Sequence, residues 1–138
     1  MLGLSFFEVS YGPRNFFYGH SLTLDLATGK PVKLSELFTS GTPYLDIIGT
    51  ASRPLVIEQF KEAGIDERQL CEECLKPLPL TTRFVNWLIT PNGLSLTFFP
   101  NYLSIAQGNE IEIVIPWSSL PHLNQDRVDA LLKGSSKH

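Results

Sequence analysis

The chain has 138 residues, of which 43% are hydrophobic, 11% aromatic and 18% charged, and a formal net charge of −3. That length buries roughly two-thirds of the surface an unfolded chain exposes, so a core forms without metal or disulfide staples, and intrinsic disorder is excluded as the main state. No run of about 18 apolar residues is present to span a membrane, and the acidic balance argues against a nucleic-acid module, whose binding face is basic.

The first residues, Met1 to Phe7, are apolar but short, with no basic leader and no small-residue cleavage site, so they do not read as a signal peptide. Strand-like sequence begins almost at once. The expectation is a single α+β domain over residues 1–133, part of a longer protein, with a frayed tail at 134–138.

Leu4 to Tyr11 reads as a strand ended by Gly12-Pro13, and Arg14 to Gly19 as a loop or hairpin end carrying an aromatic cluster. From His20 to Leu26 the pattern alternates, with Leu22, Leu24 and Leu26 on one face and Ser21, Thr23 and Asp25 on the other, which predicts a half-buried strand. Ala27 to Pro31 is a turn. A short helical turn follows with Leu34, Leu37 and Phe38, and Ser35 is its expected cap. Thr42-Pro43 opens the main helix, Thr42 as cap and Pro43 in the first position, with Leu45, Ile48, Leu55, Ile57 and Phe60 as core positions. Pro54 predicts a break into two pieces, and Gly64 a stop. Asp66 should cap a second helix reaching about Leu75, after which Pro77 and Pro79 lead out extended.

Phe84 to Thr90 is a predicted strand, Pro91-Asn92-Gly93 a hairpin turn, and Leu94, Leu96 and Phe98 alternate in the return strand. Pro100 to Gly108 is an irregular loop. Glu110 to Ile115 alternates cleanly with Ile111, Ile113 and Ile115 inward, and Trp117 to Leu123 is a short turn or helix. Asn124 caps a last helix carrying Val128, Leu131 and Leu132. Strand–helix alternation is absent, so the fold class is α+β: a largely antiparallel sheet of about five strands packed against two or three helices.

Cys71 and Cys74 stand in Cys-Glu-Glu-Cys and leave three readings open. They are plain thiols, a local disulfide in an oxidising compartment, or a metal or redox pair. Zinc needs two more ligands, and His20, His122 and His138 have no partner spacing. A redox pair would sit at a helix N-terminus, whereas this one is placed near a helix C-terminus and flanks two glutamates that raise thiol pKa.

A further set of residues carries a family resemblance. Leu24-Asp25-Leu26-Ala27-Thr28-Gly29-Lys30-Pro31 is followed by Leu34-Ser35-Glu36-Leu37-Phe38 and by Tyr44-Leu45 at the head of a helix. Later come Asn86-Trp87-Leu88-Ile89-Thr90-Pro91-Asn92-Gly93-Leu94, Phe98-Phe99-Pro100, Gly108, Ile113, Ile115 and Pro116. In this order they resemble the bacterial domain family found at the C-terminus of RsiV anti-sigma factors and of the PdaC peptidoglycan deacetylase, with a similar domain in a mycobacterial secreted immunogenic protein. The resemblance covers roughly residues 4 to 123. It implies an α+β fold, an extracytoplasmic setting and a binding role: the domain of RsiV resembles a lysozyme receptor, and that of PdaC accompanies the catalytic domain without being catalytic. Two departures stand out. Gly12-Pro13-Arg14-Asn15 replaces a Gly-Gly-x-His-Pro turn, and Tyr102 to Gly108 is shorter than the family's loop and lacks its Pro-Tyr element, so any lysozyme contact here would be made by different residues.

Candidate sites follow from residue type and position. Arg14, Phe16, Phe17 and Tyr18 cluster rings with a guanidinium, a composition favoured at interfaces. Pro100, Asn101 and Tyr102 follow a strand end, where loops on rigid scaffolds carry recognition. Glu110 and Glu112 share a strand face and could be read as an acid–base pair, but an amphipathic strand's solvated face explains them. Asp25 is expected to be turn-adjacent or exposed rather than catalytic. Ser118, Ser119 and His122 lack the context of a nucleophile triad, and Thr28-Gly29-Lys30 is a turn rather than a phosphate loop. No catalytic residue, cofactor or metal is assigned.

The leading expectation is a non-enzymatic binding or sensor module of the bacterial envelope, acting through loops 12–19 and 100–108 on a protein ligand or a peptidoglycan fragment. The alternatives are an accessory or weak enzyme of peptidoglycan modification, with Glu110, Glu112 or Asp25 as acids, and a structural domain that forms a homodimer through an open sheet edge.

Overall fold

The computed structural model describes residues 2–10, 16–25, 27–75 and 85–136, with side chains described for 23–25, 27–75 and 85–133. Two three-stranded antiparallel sheets and two α-helices make up the fold, which is α+β. Among the described residues the strands number six in two sheets, rather than about five in one. In the first sheet β1 (Leu2–Ser10) pairs with β2 (Phe16–Asp25), and β2 with the short β3 (Lys30–Pro31). In the second, β4 (Val85–Thr90), β5 (Gly93–Phe98) and β6 (Ile111–Pro116) pair in chain order. Strand β4 runs beside β1 and β2, which brings the two sheets together.

The loop expected over residues 14–19 gives way to strand from Phe16 onward, because Phe16, Phe17 and Tyr18 pair with Ser10, Val9 and Glu8. β-forming aromatics suit that ladder. At the other end of β2 the expected polarity also fails. Thr23 and Asp25 are buried, at 1% and 9% exposure, and Leu24 is only half-buried. Asp25 is not on a solvated face because Arg127, 102 residues away, supplies its partner.

Helix α1 runs unbroken from Tyr44 to Glu62 through Pro54. The expected break does not occur because Thr50, Arg53 and Pro54 all face solvent. Water can then satisfy the Thr50 carbonyl that Pro54 cannot bond, and the ring meets no packed neighbour. The buried stripe is Ile48, Gly49, Ser52, Val56 and Phe60, with Leu45, Leu55 and Ile57 half-buried at its edges. Pro43 occupies the cap position and no side chain caps it; the Thr42 hydroxyl instead bonds that of Thr39 at 2.9 Å. Similarly, Lys33 rather than Ser35 precedes the 3-10 turn Leu34–Leu37, and that turn has no side-chain cap.

Gly64 ends α1 with φ +75°, the left-handed conformation that glycine adopts without a Cβ clash. The second helix expected to about Leu75 is instead two 3-10 turns, Glu67–Gln69 and Glu72–Leu75. Asp66 does cap the first, accepting from the Arg68 N–H at 2.9 Å. The β4–β5 hairpin turns at Pro91-Asn92 as predicted, and the Thr90 carbonyl accepts from the Trp117 indole at 3.1 Å. Strand β6 shows the cleanest alternation, Ile111, Ile113 and Ile115 inward and Glu112, Val114 and Pro116 outward. Helix α2 (Gln125–Ser136) buries Val128 and Leu131, and Asn124 caps it through the Arg127 N–H.

Candidate functional site

The loop between β5 and β6 is braced from within and from a neighbouring turn. At its base Phe98 is fully buried, and the Tyr102 ring stacks on it with centroids 6.2 Å apart. Gln107, 1% exposed, closes the loop from inside. Its Oε1 accepts from the Leu103 N–H at 3.0 Å, and its Nε2 donates to the Phe98 carbonyl at 3.3 Å. Two backbone bonds reinforce this closure: the Asn101 N–H to the Gln107 carbonyl, and the Gln107 N–H to the Ser104 carbonyl. Asn101 holds φ +68°, a conformation that asparagine tolerates better than most residues. Its side-chain amide is placed to donate to the carbonyls of Gln107 and Ile105 at 3.0 and 3.2 Å.

The same loop is fastened to the Cys71–Cys74 turn. The two sulfurs form a disulfide, with Cα atoms 5.3 Å apart. That selects one of the three readings of Cys-Glu-Glu-Cys. The Cys71 N–H donates to the Leu103 carbonyl at 2.7 Å, and the Tyr102 hydroxyl donates to the Cys74 carbonyl at 2.9 Å. Burial pushes the Tyr102 phenol up to about 12. Behind the turn, Arg53 of α1 grips Glu72 with a bidentate ion pair at 2.7 Å. Gly49 of α1 lies so close to the Leu75 carbonyl that an added Cβ would overlap it.

At the tip of this fastened loop stands Ile105, 96% exposed. Single exposed apolar residues are ordinary on surfaces. This one differs in its support: Asn101, Tyr102 and Gln107 are bonded as above, Leu103 and Ser104 are buried, and the Ala106 N–H donates to the Ser104 hydroxyl at 3.1 Å. A loop held this way loses little backbone freedom when a partner covers its tip.

A second concave region lies between the Leu34–Leu37 turn with residues 38–44 and the head of α2. It is an open depression of about 750 Å³ lined by Ser35, Glu36, Phe38, Thr39, Ser40, Gly41, Thr42, Tyr44, Asn124 and Arg127. Arg127 ties it to the first sheet, donating to Asp25 at 2.9 Å and to Glu36 at 3.2 Å. The Arg127 bond, helped by the Ala27 N–H, holds the Asp25 carboxyl below its ordinary value, and the two carboxylates raise the Arg127 guanidinium.

The residues singled out from the sequence thus fall into separate places. Pro100, Asn101 and Tyr102 come together with Cys71 and Cys74 in one assembly, in which Tyr102 points inward and braces. Phe16, Phe17 and Tyr18 belong to β2, their side chains outside the described set, and Arg14 lies outside the described residues altogether. Glu112 is exposed on β6, 3.3 Å from the Ser95 hydroxyl, and Glu110 is exposed just before that strand. Ser118, Ser119 and His122 are exposed. Sequence reasoning missed Ile105, whose signal is an isolated branched apolar residue in the polar stretch Ser104-Ile105-Ala106-Gln107. It also missed the 750 Å³ cleft, whose walls are some 80 residues apart in the chain.

No family model matches the chain, and no curated protein matches it in sequence. Among the described residues no helix is long and apolar enough to cross a membrane, and no cluster of three or more His, Cys, Asp or Glu is arranged to hold a metal ion.

Proposed function

We propose that this chain is a non-enzymatic recognition domain of the bacterial cell envelope that binds a protein ligand through the loop 100–107, with Ile105 as the anchor. The observation that carries this reading is the combination of a 96% exposed isoleucine with a loop locked from below by Gln107 and Tyr102. Preorganised apolar anchors seated in a partner's pocket supply most of the energy of many interfaces. The resemblance to the RsiV C-terminal domains supports a lysozyme-like protein as the ligand class and an extracytoplasmic setting. A local disulfide is in keeping with an oxidising compartment. The surroundings of the carboxylates favour binding over catalysis, since Asp25 is committed to Arg127 while Glu110 and Glu112 face solvent.

The test is calorimetric titration of the domain with a c-type lysozyme, with soluble peptidoglycan fragments in parallel, for wild type and Ile105→Asp. Burying one isoleucine is worth about 1.5–3 kcal/mol, or roughly ten- to hundred-fold in affinity, and a carboxylate in its place adds a desolvation cost. Micromolar or tighter binding to lysozyme that is lost in Ile105→Asp is the expected result. Lysozyme binding unchanged by that substitution, or heat only from the fragments, overturns the reading.

A further inference from the structure

We infer that the cleft between residues 35–44 and the head of α2 is a binding site for a neutral saccharide of one or two sugar units, separate from the 100–107 loop. The cleft is a built feature whose walls are zipped together by backbone bonds. Phe38 bridges Leu123, the Thr39 N–H donates to the His122 carbonyl at 2.8 Å, and the Asn124 N–H donates to the Leu37 carbonyl at 2.8 Å. The crossing is made at a conformational cost, because His122 is held at φ +61° to deliver its carbonyl. A volume of about 750 Å³ lies within the range of small-ligand sites.

The chemistry of the walls selects the ligand. Both terminal nitrogens of Arg127 are already bonded, one to Asp25 and one to Glu36, so two carboxylates face one guanidinium. An anionic ligand would meet a locally negative balance. A cationic one would have to displace Arg127, which already bonds Asp25 at 2.9 Å and Glu36 at 3.2 Å, from a carboxylate. A purely apolar ligand would strand the hydroxyls and amides that form most of the lining. What remains suits a molecule that both donates and accepts at many points. Ser35, Ser40, Thr39 and Thr42 offer hydroxyls, and Asn124 an amide. Thr39 and Thr42 bond each other at 2.9 Å, which consumes one hydroxyl proton and leaves the other to donate outward. Tyr44, half-buried and stacked on the buried Phe38 with centroids 5.8 Å apart, is a fixed ring against which the C–H face of a sugar can lie.

The test is a titration of the isotope-labelled domain with maltose, with N,N′-diacetylchitobiose and with maltose 1-phosphate, followed by backbone amide NMR. The expected result is low-millimolar, saturable binding of at least one neutral disaccharide, with shifts confined to residues 35–44 and 122–127 and weaker binding of the phosphorylated sugar. The double variant Thr39→Val, Thr42→Val keeps side-chain shape while removing the hydroxyl pair, and should weaken binding about ten-fold. A Glu36→Gln variant, in which Arg127 keeps Asp25, should raise the affinity for maltose 1-phosphate relative to maltose. No saturable shift with either neutral sugar, shifts centred outside the cleft, undiminished binding by the folded double variant, or tighter binding of the phosphorylated sugar by wild type overturns the inference.

Discussion

Gln107→Ala removes the side chain that holds the 100–107 loop closed from within. In the native protein the Gln107 amide satisfies two buried backbone groups, the Leu103 N–H at 3.0 Å and the Phe98 carbonyl at 3.3 Å. Leaving the buried Leu103 N–H without its partner costs about 1–3 kcal/mol, the Phe98 carbonyl loses one bond, and the vacated amide leaves a hole beside the fully buried Leu103. A water entering that hole would recover part of the loss. The backbone bonds of Asn101 and Gln107 remain, so the net destabilisation is about 2–4 kcal/mol, a large part of the ~5–15 kcal/mol that a domain possesses. Urea unfolding with the slope held common to both proteins reads this directly. Gln107→Glu sharpens the test. A carboxylate cannot donate to the Phe98 carbonyl, so the folded state favours its protonated form and raises its pKa. A raised folded pKa gives stability that is present below the unfolded value of about 4.3 and lost as pH rises through the folded one. That variant should therefore lie closer to wild type at about pH 4 than at about pH 7. A loss under about 0.5 kcal/mol in Gln107→Ala would refute the view that this amide closes the loop.

Gly49→Ala should destabilise the protein by about 1 kcal/mol or more, because overlap with the Leu75 carbonyl costs about 1–3 kcal/mol and outweighs a helix-propensity gain of up to about 1; a thermal scan checks it. Replacing both Cys71 and Cys74 by Ser opens a loop of sequence separation 3, costs about 2 kcal/mol on the chain-entropy view, and should speed hydrogen exchange at the Cys71 amide bonded to Leu103. Tyr102→Phe deletes the bond to the Cys74 carbonyl and should cost about 1 kcal/mol, while in wild type one tyrosine should ionise near 12 in a spectrophotometric titration. Asp25 should titrate below 3.8 by carboxyl NMR and return toward that value in Arg127→Gln; its folded pKa being lowered, its contribution to stability is present above the unfolded value and fades as pH falls through the folded one.

The fold was legible wherever one residue's neighbours in sequence decide its environment. The isoleucines of β6 alternate because one face of the strand is solvated, and Pro91-Asn92 turns the hairpin through local geometry alone. It was illegible wherever a distant partner decides. Asp25 is buried because Arg127 reaches it from α2, and Pro54 stays within a helix because tertiary packing leaves that face to water. The 66–75 segment breaks into two 3-10 turns under the disulfide and its bonds to Leu103 and Tyr102, which no helical periodicity records. The candidate loop was found from its position after a strand end, but with the roles inverted: Tyr102 is the brace and Ile105 the exposed tip.

The most direct measurement of protein recognition by the 100–107 loop is an amide-shift footprint of a c-type lysozyme on the isotope-labelled domain. The predicted footprint centres on Leu103 to Gln107 and extends to Cys71–Leu75, the turn to which the loop is bonded. Absence of any shift on adding lysozyme, or a footprint that leaves Ile105 and its neighbours unchanged, would contradict it.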